Sequence, residues 1–259
     1  MIESAELLEV QAQLEAMGLA VMAAQVSSVA ERAAAQSETY VTFLRTLLEP
    51  EVAARQERWA TTRTRLANFP FRKTLADFDF AFQPAVDERL IRELSGLGFV
   101  ERHENLIFLG PPGVGKSHLA IALGMEAIRR RVAVYFTTAH AMVQDLRQAQ
   151  MRGTLTSRLR VYMRPRLLIV DELTYAPFEG PDATNFFRLV SERYEHGSTI
   201  LTANRSYGEW GQVFNDSVLA TAILDRLLHH SVTVNIKGGQ SYRLKDKARA
   251  GLFPGQAEV

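Results

Sequence analysis

Apolar residues in the first quarter of the chain recur every three or four positions, at Leu7, Val10 and Leu14 and again at Val41, Leu44 and Leu48. That is the period of a helix with one apolar stripe. Only Gly18 and Pro50 interrupt residues 1–67, a stretch otherwise dense in the helix formers Ala, Glu, Leu, Gln and Arg. The pattern predicts a small all-α module of three or four helices over residues 1–67. Its last helix is expected to run from Glu51 to about Ala67, with Pro50 in the first turn. The character then changes. Asn68-Phe-Pro70 breaks the helix, and residues 75–84 interleave Phe78, Phe80 and Phe82 with other residues, as a linker or an edge strand would. A domain boundary is placed here, with the second domain spanning residues 68–259. Beyond it, apolar runs at 105–109, 132–137, 166–170, 198–203 and 231–236 alternate with helical patterns such as Leu119, Ala120, Leu123 and Ala127. Buried strands spaced by helices predict an α/β fold: a parallel sheet with helices on both faces.

Composition narrows the class. The 259 residues are 47% hydrophobic and 23% charged, ordinary for a globular chain, and thirty Lys and Arg against twenty-nine Asp and Glu leave a net charge of +1. Any basic surface must therefore be local. The absence of cysteine excludes disulfides, thiolate catalysis and cysteine metal sites, and fits a reducing compartment. The longest early apolar run, residues 16–24, follows glutamates rather than a basic region, so no secretory signal is expected. No other stretch approaches the ~20 apolar residues of a membrane span. The expectation is a soluble cytoplasmic protein with no membrane partner.

Directly after the first apolar run stands Gly110-Pro111-Pro112-Gly113-Val114-Gly115-Lys116-Ser117, followed by His118. This is the G-x-x-x-x-G-K-[ST] pattern. Its glycines allow a concave nest of inward N–H groups, and the helix start near Gly115 adds a positive end. Lys116 offers a mobile cation for β- and γ-phosphates, and the Ser117 hydroxyl is a hard oxygen ligand for Mg²⁺. The run Leu167-Leu-Ile-Val-Asp171-Glu172 is an apolar strand ending in two carboxylates. In an open parallel sheet the strand ends share one crevice, so both acids are expected at the phosphate loop. Asp171 would hold the metal shell, and Glu172 would orient and deprotonate the attacking water. One strand later, Thr199-Ile-Leu-Thr-Ala-Asn204 ends in an amide suited to the γ-phosphate or the water, and to holding its acidic neighbour in place. The plainer alternative for Asn204 is a turn residue before Arg205-Ser-Tyr-Gly.

Together these residues resemble the AAA+ ATPases. The wider run resembles a narrower group, the IstB helper ATPases of bacterial insertion sequences, relatives of the helicase loader DnaC. The likeness lies in Lys73-Thr-Leu-Ala-Asp-Phe-Asp-Phe80, Leu109 to Ser117, Leu201-Thr-Ala-Asn-Arg-Ser206 with Trp210, and Ala222-Ile-Leu-Asp-Arg-Leu-Leu-His-His230, over about residues 40–245. It implies ATP and Mg²⁺ at Lys116, Ser117 and Asp171, activation at Glu172, and a first sensor at Asn204. Arg226 matches the arginine that such ATPases insert into a neighbour's site, where a guanidinium neutralises charge on the γ-phosphate; a local pair with Asp225 or a helix cap is the simpler alternative. Phe78 to Phe82 would lie near the adenine, or merely cover an edge of the core. Only 33 residues follow Arg226, too few for the usual helical lid, which leaves Arg243 as the substitute second sensor.

Between Arg147 and Arg166 lie six arginines, Arg147, Arg152, Arg158, Arg160, Arg164 and Arg166, and no acid. Such a segment, with a loop at residues 151–156, suits a DNA backbone bound without regard to sequence; a solvated helix face is the alternative. A second patch comprises Arg55, Arg58, Arg63, Arg65, Arg72 and Lys73, and a third Lys237, Arg243, Lys245, Lys247 and Arg249. His140, His229, His230, Trp59 and Trp210 read as structural. The sequence thus predicts an ATPase stimulated by DNA and by oligomerisation. It would assemble on duplex DNA, present it to a cognate transposase and disassemble on hydrolysis. A DnaC-like helicase loader and a P-loop small-molecule phosphotransferase stay open as alternatives.

Overall fold

The structure, a computed structural model, describes residues 4–175, 178–238 and 241–242. By compactness the chain divides into residues 1–62 and 63–259, a boundary several residues before the 67/68 expected.

The first unit holds α1 (Ser4–Ala16), α2 (Ala20–Gln36) and most of α3 (Tyr40–Leu66). Pro50 does not open a helix; it sits inside α3, where it has no N–H for the Thr46 carbonyl. The helix continues because its next residue is anchored. Glu51 is buried, and its Oε2 accepts the Val21 and Met22 N–H groups at 2.8 and 3.3 Å, capping α2 from a different helix. Met22, Val26, Val29 and Leu47 form a small core with Leu7, Leu14, Leu19 and Phe43 against it. The stripe read at Val41, Leu44 and Leu48 faces away from this core. With Val52 it is exposed, while the neighbouring positions Phe43 and Leu47 turn inward.

The second unit adds α4 (Glu88–Leu94), α5 (Gly98–Glu101), α6 (Lys116–Arg129), α7 (Ala139–Met151), α8 (Leu155–Met163), α9 (Asp182–Arg193), α10 (Trp210–Phe214) and α11 (Ser217–Leu228). They pack around β1 (Asn105–Leu109), β2 (Val134–Thr138), β3 (Leu167–Asp171), β4 (Ser198–Ala203) and β5 (Ser231–Asn235), ordered β2-β3-β4-β1-β5 with every pairing parallel. Every residue of β1, β3 and β4 is buried, as continuous apolar runs require when helices cover both faces. Ile107, Leu168, Val170 and Leu201 join residues of α7, α9, α10 and α11 in one core, and Trp210 is fully enclosed there. The alternate residue Ile169 points to α6, against Gly124.

Residues 68–84 contain no strand. Asn68 takes the left-handed conformation at φ 60° and its side-chain N–H₂ donates to the Phe136 carbonyl at 3.2 Å. A 3₁₀ turn follows at Leu75–Asp77, and Phe78 is buried. The 151–156 segment is shorter as a loop than expected, since α7 runs to Met151 and α8 begins at Leu155. Among the described residues no helix is long and apolar enough to cross a membrane. Arg243, Lys245, Lys247 and Arg249 lie outside the described residues.

Candidate functional site

The site lies where β1, β3 and β4 end side by side. Residues 110–115 turn from β1 into α6 through glycines at φ 151°, 86° and 96° (Gly110, Gly113 and Gly115), all three in a region where side chains are strained. A Cβ at Gly115 would stand 2.6 Å from the Phe78 ring, and one at Gly113 would stand 2.1 Å from the Ser241 hydroxyl. The loop is therefore fixed by its backbone and by what packs on it. Tyr242 donates its N–H to the Gly113 carbonyl at 2.9 Å and its hydroxyl to the Asp79 carbonyl at 2.5 Å. Its ring rests on Phe78 and Phe82, with centroids 5.6 and 4.6 Å away.

Lys116, the first residue of α6, is buried, with Nζ donating to the Gly110 and Pro111 carbonyls at 2.7 and 2.8 Å. Ser117 Oγ donates to Asp171 Oδ1 at 2.8 Å across 54 residues of sequence. A hydroxyl and a carboxylate in contact are the hard oxygen pair that Mg²⁺ takes, so the donor set fits that ion. Glu172 follows Asp171 at φ 58°, a left-handed conformation unusual for its residue type, and its side chain is exposed.

A cavity of about 710 Å³ gathers these groups: Pro112, Gly113, Gly115, Lys116, Ser117, His118, Asp171, Glu172, Thr202 and Asn204. Gly110, Pro111 and Val114 shape the loop without lining the cavity; Val114 is buried beneath it. His118 Nε2–H donates to the Thr74 carbonyl at 2.9 Å, and burial pushes its imidazole below the ordinary value, against that hydrogen bond. Pro70, Phe71, Phe136 and Tyr242 add apolar wall to the same cavity. Phe78 does not line it. Its ring packs against Gly115, the loop residue ahead of Lys116.

Two threonines hold the strand ends. Thr174 Oγ1 donates to Asn204 Oδ1, and accepts the Asn204 N–H at 3.2 Å. Thr202 Oγ1 donates to Asp171 Oδ1 and accepts the Glu172 N–H. The group expected to steady the acids was the Asn204 amide; the group in contact with them is Thr202. Its signal was available, a hydroxyl inside an otherwise apolar strand end.

Residues 12–250 match the family described as IstB-like ATP binding protein. The chain belongs to this family. It is 51% identical over 229 residues to a protein of Geobacillus stearothermophilus named for ATP binding in insertion sequence IS5376, covering 88% of this chain and 91% of that one. It is 46% identical over 245 residues to the similarly named protein of insertion sequence IS21 from Pseudomonas aeruginosa, covering 95% and 92%. Among solved structures, the DnaC helicase loader matches with a TM-score of 0.51 at 22% identity, covering 57% of this chain and 87% of that one. AMPPCP-bound DnaA from Aquifex aeolicus matches with a TM-score of 0.53 at 22% identity, covering 72% and 57%. These likenesses place the fold among AAA+ P-loop proteins.

In this IstB-like chain Arg226 lies on α11 and outside the cavity. Its guanidinium sits 5.0 Å from the centre of the Tyr194 ring, rather than in the pair with Asp225 or the cap that stood as the simpler alternative to a place in a neighbour's site. Tyr194 in turn shares a 2.6 Å hydrogen bond with His229 Nδ1. His229 and His230, read as structural for want of metal-ligand partners at useful spacing, come together with Glu195, their ligand atoms within 4.8 Å on an exposed surface. Sequence spacing hid this trio because Glu195 follows α9, far along the chain.

The arginines divide into two kinds. Arg147 Nε donates to both carboxylate oxygens of Asp182 at 3.0 and 2.9 Å, and the Asp182 side chain is only 1% exposed. Arg158 Nε donates to Asp145, which also takes the Tyr162 hydroxyl at 2.5 Å. Arg55 and Arg58 both donate to Glu51 Oε1, at 3.3 and 2.9 Å. These four, offered by sequence as DNA contacts, are committed to carboxylates within the fold. Arg152, Arg160, Arg164 and Arg65 are exposed and have no carboxylate partner among the described residues.

Proposed function

We propose that this protein is an ATP-driven switch that assembles on duplex DNA, presents it to a cognate transposase and comes apart on hydrolysis. The observation that carries the reading is the meeting of Lys116, Ser117, Asp171 and Glu172 in one cavity at the sheet's carboxyl edge. Lys116 leaves the Gly110 and Pro111 carbonyls for the β- and γ-phosphates as nucleotide enters. The loop N–H groups and the start of α6 take the remaining phosphate charge. Ser117 and Asp171 would hold Mg²⁺, which would supply neutralisation of phosphate charge. Glu172 orients the attacking water and accepts its proton, and the Asn204 amide donates to the γ-phosphate side. Arg226, outside its own chain's cavity, completes a neighbour's, so that turnover depends on assembly.

The names of the relatives favour transposition over helicase loading, since they refer to insertion sequences. Arg152, Arg160 and Arg164 offer charge for phosphodiester groups. The exposed stripe Val41, Leu44, Leu48 and Val52 supports association of the first unit with a second copy or with a partner protein.

The test is ATPase rate with and without duplex DNA across protein concentrations, beside a Glu172→Gln variant. We expect wild-type turnover to rise with both. Glu172→Gln should keep ATP and DNA binding, lose turnover and accumulate as stable oligomers on DNA. Unchanged turnover in the variant removes Glu172 from its role, and a rate indifferent to protein concentration removes Arg226 from a neighbour's site.

A further inference from the structure

Thr202 is 1% exposed near the end of β4. Its hydroxyl proton goes to Asp171 Oδ1 at 2.5 Å, and its oxygen accepts the backbone N–H of Glu172 at 2.9 Å. One donor and spare lone pairs allow both bonds at once. Asp171 Oδ1 is the same oxygen that accepts Ser117 Oγ. Ser117 is the group that changes role: to ligate a metal ion it turns a lone pair toward the ion, and its bond to Asp171 is given up or redirected. Thr202 lines the same cavity, but at 1% exposure its hydroxyl already has both bonds made within the fold, to Asp171 and to the Glu172 N–H. Its second bond is to the peptide that carries Glu172 at φ 58°, a conformation that persists only where the surroundings fix it.

We infer that Thr202 is a positioning residue for ATP hydrolysis, its hydroxyl fixing the Asp171 carboxylate and the Glu172 main chain in one geometry as the metal enters. The inference rests on the hydrolytic reading above. It differs in assigning the steadying of the acids to Thr202 on β4, and it leaves Asn204, tied to Thr174, for the substrate side. Because the two bonds share one oxygen, displacement of Asp171 is transmitted to the Glu172 peptide. Metal occupancy and the placement of the base are thereby coupled through a single hydroxyl.

The test compares Thr202→Val, which keeps the branched shape and strand preference but removes the hydroxyl, with Thr202→Ser, which restores it. At saturating ATP and Mg²⁺, Thr202→Val should lower kcat by about 10–100-fold, the usual effect of losing an outer-shell partner. Binding of a fluorescent ATP analogue without Mg²⁺ should stay within about twofold of wild type, while the Mg²⁺ concentration needed for half-maximal tightening rises, again toward about tenfold. Without nucleotide, exchange of the Glu172 amide measured by NMR should quicken about tenfold, matching one net hydrogen bond. Thr202→Ser should return all of these toward wild type. Wild-type kcat and Mg²⁺ dependence in Thr202→Val overturn the proposal, as does a serine variant impaired as badly as the valine one. If Thr202→Val does not fold, Thr202→Ala takes its place against the same serine control. A wild-type chain that hydrolyses no ATP overturns the hydrolytic reading instead, an outcome seen before any variant is made, and the amide exchange then still decides whether Thr202 fixes the Glu172 peptide.

Discussion

Arg147→Ala separates an arginine that holds the fold from those proposed to meet DNA. Asp182, its partner, is enclosed at 1% side-chain exposure, whereas the Arg147 side chain is 29% exposed. Removing one member of a buried pair costs about 3–5 kcal/mol because the other charge stays behind. Here Asp182 keeps the Glu179 N–H at 2.8 Å, and solvent reaches the arginine. The cost is accordingly discounted to about 2–3 kcal/mol. For a unit of this size that corresponds to a fall in Tm of about 4–12 °C. The assay is thermal unfolding followed by circular dichroism, beside fluorescence anisotropy of labelled duplex DNA over a range of salt concentrations. Arg160→Ala and Arg164→Ala should change stability by no more than about 0.5 kcal/mol. Each should lower the slope of log affinity against log salt by about 0.9 if it neutralises one phosphate. Arg147→Ala should leave that slope alone once the protein is folded. An Arg147→Ala protein with wild-type Tm refutes the buried-pair argument, and one that loses as much salt slope as Arg160→Ala shows its guanidinium reaching phosphate.

Gly115→Ala places a methyl group 2.6 Å from the Phe78 ring at φ 96°, so it should cost about 1–3 kcal/mol and weaken binding of a fluorescent ATP analogue. Unchanged nucleotide affinity would show the loop tolerating that conformation. In the first unit, burial pushes the Glu51 carboxyl up, but hydrogen bonds from the Val21 and Met22 N–H groups and from Arg58 outweigh it and hold it below its ordinary value of 4.5. A depressed folded value means stabilisation that is complete above the unfolded value and lost as pH falls below about 4.5 toward the folded one. Acid titration of helical content should show this loss in wild type and a flatter profile in Glu51→Gln; identical profiles refute it.

The gathering of the candidate site was legible because it depends on contiguous residues. Gly110 to Ser117 specify a loop, and an apolar run ending in Asp171 and Glu172 specifies a strand tip, so the parallel-sheet rule alone brings them together. What escaped notice depends on residues distant in sequence. The run from Arg147 to Arg166 contains no acid, yet Asp145 stands just before it and Asp182 well after it. Folding α7 against α8 and α9 turns Arg158 and Arg147 inward to those carboxylates. Pro50 misled for the opposite reason. Local propensity favours it at a helix start, but the burial of Glu51 at the head of α2 fixes the helix on both sides of it.

The flanking stretches that carried the family likeness also have a physical reason to be particular. Residues 73–80 supply the Thr74 carbonyl to His118 and the Phe78 ring to Gly115. From the other side, Ser241 and Tyr242 close on Gly113 after β5. Tyr242 joins the two flanks, since its hydroxyl reaches Asp79 and its ring rests on Phe78 and Phe82. The loop is thus gripped by chain that precedes the sheet and chain that follows it. A nucleotide that widens the loop must move both flanks together, and a change in either flank is felt at the phosphate site.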